Sequence, residues 1–287
     1  ADKNDNGTAA GNFLSFSVAD LFKRMSLYLH EGSDSWKFID TFRQDMSLAN
    51  IDKTMFISKW EGEMRKACQR IYGVNFEKLI LDMMVKKPEY DKFSRSGWII
   101  PADGEVIEVS TGRGKKKVVK AIPNDGSQPN NLPNHLSKAN LIYVYAACQQ
   151  ADMQVNNVIY GRDERYFKEI EDIIGPEGVA MAQWLTKAYG EIRKAISPIC
   201  EEITGMQVLS PDENYCPLSF IKDEVSNDER RYSSTPFPAF LTRCVTHDSL
   251  RLNEQCDAFR TFEDKVQDSG HYIGFARIID RMNSTLK

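Results

Sequence analysis

Seven apolar residues, Met181, Leu185, Ala188, Ile192, Ala195, Ile199 and Ile203, recur at intervals of four, three, four, three, four and four. That spacing lines them along one side of a long α-helix and does not suit a strand, whose faces alternate every second residue. Gly175-Pro-Glu-Gly178 precedes the row and Gly205 follows it, a glycine that permits the left-handed turn on which helices end. Pro198 falls inside the phase and lacks a backbone donor, so a kink is expected near Ala195. A helix this long with one apolar side has to be covered by other helices.

The same periodicity supplies them. Ser17-Val-Ala-Asp20 reads as a helix start, with Ser17 as the cap and Asp20 at the positive end of the dipole; Val18, Leu21, Met25, Tyr28 and Leu29 share a face, and Gly32 stops it. A second helix is expected from Ser35 through Trp36, Ile39, Phe42 and Met46. A third passes through Phe56, Trp60, Met64, Ala67 and Ile71 to Gly73, and a fourth runs from Phe76 to Lys86, bounded by Pro88. Ser137 to Cys148 opens on a capping serine and is apolar nearly all round, as suits a helix covered on several sides. Val158-Ile-Tyr-Gly161 leads to a charged helix around Arg165 to Ile173. The last helical stretch spans about Leu250 to Leu286, with Leu252, Cys256, Phe259, Phe262, Val266, Ile273, Ala276 and Ile279 on its buried side and a bend expected at Ser269-Gly270.

Residues 96–133 differ in character. Trp98-Ile-Ile-Pro, Val106-Ile-Glu-Val and Val118-Val-Lys-Ala-Ile122 are β-rich and are punctuated by Gly104, Gly112 and Gly114, which predicts a hairpin with room for a third short strand. Its expected tip, Thr111 to Lys117, is the most basic stretch of the chain: residues 92–120 hold seven basic residues against three acidic ones. Pro123 to Pro133 reads as a linker and Asn214 to about Phe240 as an irregular loop.

Charge and composition exclude several classes. The chain has 37 Lys+Arg against 41 Asp+Glu, with 41% hydrophobic residues, which is the profile neither of a disordered tail nor of a strongly basic nucleic-acid binder. Its longest apolar run, Leu141 to Cys148, is too short to span a bilayer. Residues 1–12 are polar and lack the apolar stretch of a signal peptide, and Ala1 in place of an initiator Met is expected of an excised or processed piece. Among the six cysteines the nearest two, Cys244 and Cys256, lie twelve positions apart, so there is no CxxC pair; buried thiols in a reducing compartment are expected.

The candidate sites each compete with a plainer reading. Arg113, Lys115, Lys116, Lys117 and Lys120 are candidates for nucleic-acid phosphates, or else a solvated hairpin whose charge guards a strand edge. They do not form a phosphate loop, since Val109 stands where a glycine is needed and Lys116 where a Ser or Thr is needed. Tyr215, Arg243, His247 and His271 are the candidates for a cleft between the 205–245 loop and the last helix. Cys244, His247, Cys256 and His271 have zinc-compatible types at poor spacing, so no metal and no cofactor is expected. Arg162-Asp-Glu-Arg165 and Asp228-Glu-Arg-Arg231 read as surface ion pairs, and Tyr143, Tyr145, Trp184 and Tyr189 as core aromatics. No GxSxG, HExxH or GxGxxG is present.

Taken in order, several segments resemble the large helical domains of phage polyvalent proteins, the long multidomain chains of phages and prophages. Lys138-Ala-Asn-Leu-Ile-Tyr-Val-Tyr-Ala-Ala, Val158-Ile-Tyr-Gly161 and Ile170 to Leu185 carry the resemblance. So do Glu213-Asn-Tyr-Cys-Pro-Leu218 after the long helix, Phe240-Leu-Thr-Arg243 and His271 to Asp280. It covers about residues 136–286. It implies an α-helical module without catalytic residues that links or shields other domains of the same polypeptide.

The expectation is a mainly α protein, a multi-helix bundle-like domain or domains with a small inserted β-hairpin. Residues 1–12 are expected to be a disordered tail, 13–95 a helical subdomain, 96–133 the hairpin and linker, and 134–287 a second helical domain. The expected function is a non-catalytic structural or interaction module whose partners are other domains of the same polypeptide or other proteins. The alternatives are a nucleic-acid-contacting module that uses the basic hairpin tip, with DNA as a possible partner, and an enzyme of unknown class with a cleft around residues 215–271. The expected location is cytoplasmic, or virion-associated with delivery to the host cytoplasm.

Overall fold

The computed structural model describes residues 33–94, 98–99, 103–111, 114–120, 122–123, 135–150, 153–205, 214–218, 220–221 and 251–285. The expected tail at 1–12, the first helix with Ser17 and Leu29, and most of the 123–133 linker and the 214–240 loop lie outside them. In chain order the elements are α1 Asp34–Tyr72, α2 Phe76–Met83, a 3-10 turn Pro88–Phe93, β1 Trp98–Ile99, β2 Val106–Thr111, β3 Gly114–Val119 and β4 Ile122–Pro123. They continue with α3 Lys138–Cys148, α4 Gln154–Ile159, α5 Glu164–Thr204, β5 Phe220–Ile221, β6 Arg251–Leu252 and α6 Ala258–Thr285. The protein is mainly helical, with the hairpin inserted between α2 and α3.

Three helices depart from expectation. The second and third expected helices are one continuous element, α1. Residues 47–55 contain neither Gly nor Pro to break it, and Ser47, Asn50 and Thr54 satisfy their side chains on the carbonyls of Arg43, Met46 and Asn50 at 3.0, 3.1 and 2.7 Å instead of capping a new helix. α1 does stop at Gly73, whose φ of 69° is the left-handed turn. In α5 the charged helix and the apolar row join across Gly175, which takes φ 72° and ψ 174°. Pro176 then opens the second segment, where a missing N–H is tolerated. The non-helical backbone therefore lies at Gly175, ahead of the apolar row, and Pro198, beside which a kink is expected, lies within the second helical segment. The buried row also passes through Ile196 instead of Ala195, which is exposed.

The last helix begins at Ala258, Leu252 belonging to β6, and it runs through Ser269-Gly270 without interruption. Gly270 and Gly274 serve close approach there. A Cβ added at Gly274 would lie 2.5 Å from the Ala49 carbonyl oxygen, and one at Gly270 would lie 2.8 Å from Ile57 Cγ1.

The chain divides into two compact units, Ala1–Ile57 with Gly270–Lys287, and Ser58–Ser269. In the first, Phe42, Ala49, Phe275 and Ile278 form a small core with Met46 against it, and Arg281 pairs with Asp45. In the second, α3 is buried on almost every side, begins with the Ser137–Asn140 capping box and packs on α5. Met181, Leu185, Ala188 and Ile192 of α5 are buried, and Trp60, Trp184 and Tyr189 gather around the Phe262 ring at 6.3, 5.3 and 5.5 Å. Such aromatic contacts add to the burial of large apolar area.

Candidate functional site

The hairpin register runs from Val106 opposite Val119 to Thr111 opposite Gly114. The lysines predicted for a loop tip therefore belong to β3. Alternation sets Lys115 and Lys117 on one face with Glu108 and Val119, while Lys116 holds the intervening position opposite Val109. Lys115 and Lys117 are exposed, and Lys115 Nζ lies 3.5 Å from Glu108 Oε2, so one carboxylate offsets part of this charge. Lys120 is also exposed and extends the ladder by donating its N–H to the Glu105 carbonyl at 2.9 Å. Arg113 lies outside the described residues.

Of the expected cleft residues, Arg243 and His247 lie outside the described residues. Tyr215, in the unit Ser58–Ser269, meets Tyr189 edge-on at 6.4 Å and carries the Arg193 guanidinium 5.1 Å from its ring centroid. Arg193 acts on Lys265, a core position of α6 that is 7% exposed. Burial, helped by Arg193 and opposed by Asp268, brings the Lys265 amine down to about 8. One turn further on, Ser269 is fully buried and its hydroxyl has no hydrogen-bond partner. Lys265 carries no signal in the sequence, because it looks like one of many charged residues on a helix, and Ser269 stands out there only as part of the expected Ser269-Gly270 bend. His271, in the other unit, leans on the Phe275 ring at 4.8 Å, and partial burial with the Lys53 charge lowers its pKa.

The most constrained polar cluster centres on Arg162, which is buried and not on the surface as its sequence context suggests. Arg162 and Glu254 are each only 3% exposed in their side chains and pair at 2.8 Å. Arg162 also donates to Asn156 Oδ1 at 2.8 Å and lies over the rings of Tyr160 and Tyr166. Cys148 Sγ is 3.7 Å from the same guanidinium. Asn140 donates to the carbonyls of Gln255 and Cys256, and Gln150 to that of Cys216. These contacts tie α3, the turn into α5, residues 214–218 and residues 252–257 together. Burial raises the thiols of Cys148 and Cys216, which favours the inert protonated form. Cys68, Cys148, Cys200 and Cys216 are free thiols, and no group of three metal-ligating side chains occurs among the described residues.

A different signal lies on the outside of α1. Leu48, Ile51 and Met55, spaced by three and four, are 59%, 53% and 67% exposed. At 100° per residue they point half a turn away from Phe42, Met46 and Ala49, which form the core of their unit. Ser47, Thr54 and Ser58 flank the row on one side, and Asp52 and Lys59 on the other. No described helix is long and apolar enough to cross a membrane. No family model, curated protein or solved structure matches the chain.

Proposed function

We propose that the chain is a non-catalytic interaction module of a larger phage- or prophage-type multidomain protein, and that Leu48, Ile51 and Met55 on α1 receive the apolar face of a helix from another domain of that polypeptide. The parentage rests on the resemblance of the segments named above. The interaction role rests on one observation, a row of three large apolar side chains more than half exposed on one helix. Spacing of three and four is that of a helix–helix seam, and the flanking residues are mostly small and neutral on one side, which favours a helical partner. The test places the photocrosslinker benzoylphenylalanine at Ile51, or at exposed Lys66 as control, in the full polypeptide. The segment captured is then titrated against the wild type and a Leu48→Asp/Ile51→Asp variant. Capture from position 51 and at least about tenfold weaker binding to the variant are expected. Equal capture from both positions, or equal affinity, would sink the proposal.

A second reading, DNA contact through Lys115, Lys117 and Lys120, is favoured by their exposure on or beside one strand. Anisotropy with labelled single- and double-stranded DNA tests it. Binding that weakens with salt and is lost in a Lys115→Ala/Lys116→Ala/Lys117→Ala variant supports the reading, and no binding at low salt ends it.

A further inference from the structure

A second apolar surface occupies the end of α2. Leu79 and Met83 turn inward and are buried, whereas Leu81, Met84 and Val85, spaced by three and one, are 76%, 53% and 52% exposed. Three of the large apolar side chains left in water thus occur within five residues of a two-turn helix and its exit. The exit is itself fixed. The Met84 N–H bonds the Ile80 carbonyl at 3.0 Å and the Val85 N–H bonds that of Asp82 at 3.3 Å, so the knuckle is held and not merely frayed. Lys78, Lys86 and Lys87 border it and are exposed; Asp82 is the acidic residue within that span, and Glu89 lies 3.6 Å from Lys87. Residues 78–87 carry three positive charges against one negative, and of the glutamates flanking them Glu77 is paired with Arg65 and Glu89 with Lys87, which leaves Lys78 and Lys86 as the cations most open to a ligand.

We infer that this knuckle seats the protein on an anionic lipid surface, with Leu81, Met84 and Val85 entering the headgroup–acyl boundary and Lys78, Lys86 and Lys87 meeting lipid phosphates and carboxylates. A short, projecting apolar tip with lysines on both sides suits an interface that is apolar in depth and negative at its surface. Leu81, at 76% exposed, stands out from the protein, which favours a deformable lipid surface over a partner helix.

The test is co-sedimentation with phosphatidylcholine vesicles, with and without phosphatidylserine, at low and physiological salt. The wild type is compared with Leu81→Ser/Met84→Ser/Val85→Ser and with Lys86→Gln/Lys87→Gln, and a Leu81→Trp variant reports insertion. All these positions are exposed, so the variants should keep the wild-type melting curve. Expected are binding that requires phosphatidylserine, loss of binding in the apolar triple variant, about fivefold weaker binding for each lysine neutralised, and, for Leu81→Trp, a blue shift of indole emission on anionic vesicles that the wild type does not show. The inference is overturned by absence of binding at low salt, by equal binding to neutral vesicles, or by a triple variant that binds as the wild type does. The last result would mean adsorption through charge alone.

Discussion

Replacing Lys265 by Met should make the protein more stable at neutral pH, although it removes a charged residue with a nearby carboxylate. The Lys265 amine falls from 10.5 to about 8 because burial on the inner side of α6 opposes its charge and Arg193 adds repulsion, while Asp268 supports the charged form only in part. A difference of 2.5 units at about 1.4 kcal/mol each sets the cost of holding the charge in the folded state at about 3 kcal/mol, an upper figure. Below about pH 8 both folded and unfolded chains hold the proton and the full cost applies. Between about 8 and 10.5 the unfolded chain still binds it and the folded one does not, so stability rises with pH; above 10.5 the cost is gone. Lys265→Met keeps the volume of the stem and removes the amine. Urea denaturation should show the variant about 1–3 kcal/mol more stable at pH 7, with the advantage shrinking as pH is raised towards about 10. Comparing the two proteins at each pH cancels the other alkaline titrations. A variant that is less stable throughout, or an advantage that does not change with pH, would show that the ammonium is well accommodated and that the reasoning is wrong.

Gly274→Ala should cost about 1–3 kcal/mol in thermal unfolding, because the new methyl meets the Ala49 carbonyl, whereas Gly190→Ala, with nothing within 4 Å of the added Cβ, should be neutral or up to about 1 kcal/mol stabilising. Arg162→Met, which strands Glu254 in the interior, should cost about 3–5 kcal/mol in urea, and Arg162→Met/Glu254→Leu should recover much of that; a double variant as unstable as the single one would refute the pairing account. An aromatic disulfide should leave Cys68, Cys148 and Cys216 unlabelled in the native protein at neutral pH, since burial pushes Cys68 up to about 11 and raises the other two. Rapid labelling of any of the three before unfolding, read by mass spectrometry, would contradict this.

What the sequence made legible were features decided locally. Gly73 and Gly205 end helices because only a residue without a Cβ takes their φ of 69° and 67° cheaply, and Ser137 caps α3 through the neighbouring Asn140. The hairpin followed from β-branched runs punctuated by glycine, although its strands reach further and take up the lysines. Features set by distant partners were not legible. Ser269-Gly270 suggests a bend, but what the two glycines admit is set by α1: the Ile57 side chain lies against Gly270 and the Ala49 carbonyl against Gly274. Arg162 looked like surface charge because its partner, Glu254, stands 92 positions away. The apolar rows ending at Met46 and starting at Phe56 suggest two helices, but no Gly or Pro lies between them and α1 continues through, its Ser47, Asn50 and Thr54 side chains bonded to the preceding turn. Of the candidate sites, the types of Tyr215 and Lys115 were visible, but not Arg193 over the one ring or Glu108 beside the other amine.

The unit formed by Ala1–Ile57 and Gly270–Lys287 also has a consequence for synthesis. Asp45 and Arg281 are 236 positions apart, and Phe42 and Ala49 find Phe275 and Ile278 only after that length has been translated. At about 5–20 residues per second the first half of α1 waits about ten to fifty seconds for the α6 residues that pack on its inner face. The unit Ser58–Ser269 has the residues it needs before then, so the order of completion on the ribosome is set by chain layout and not by relative stability. A nascent chain stalled near residue 269 should be a chaperone client through Phe42, Met46 and Ala49, and should cease to be one once α6 has emerged.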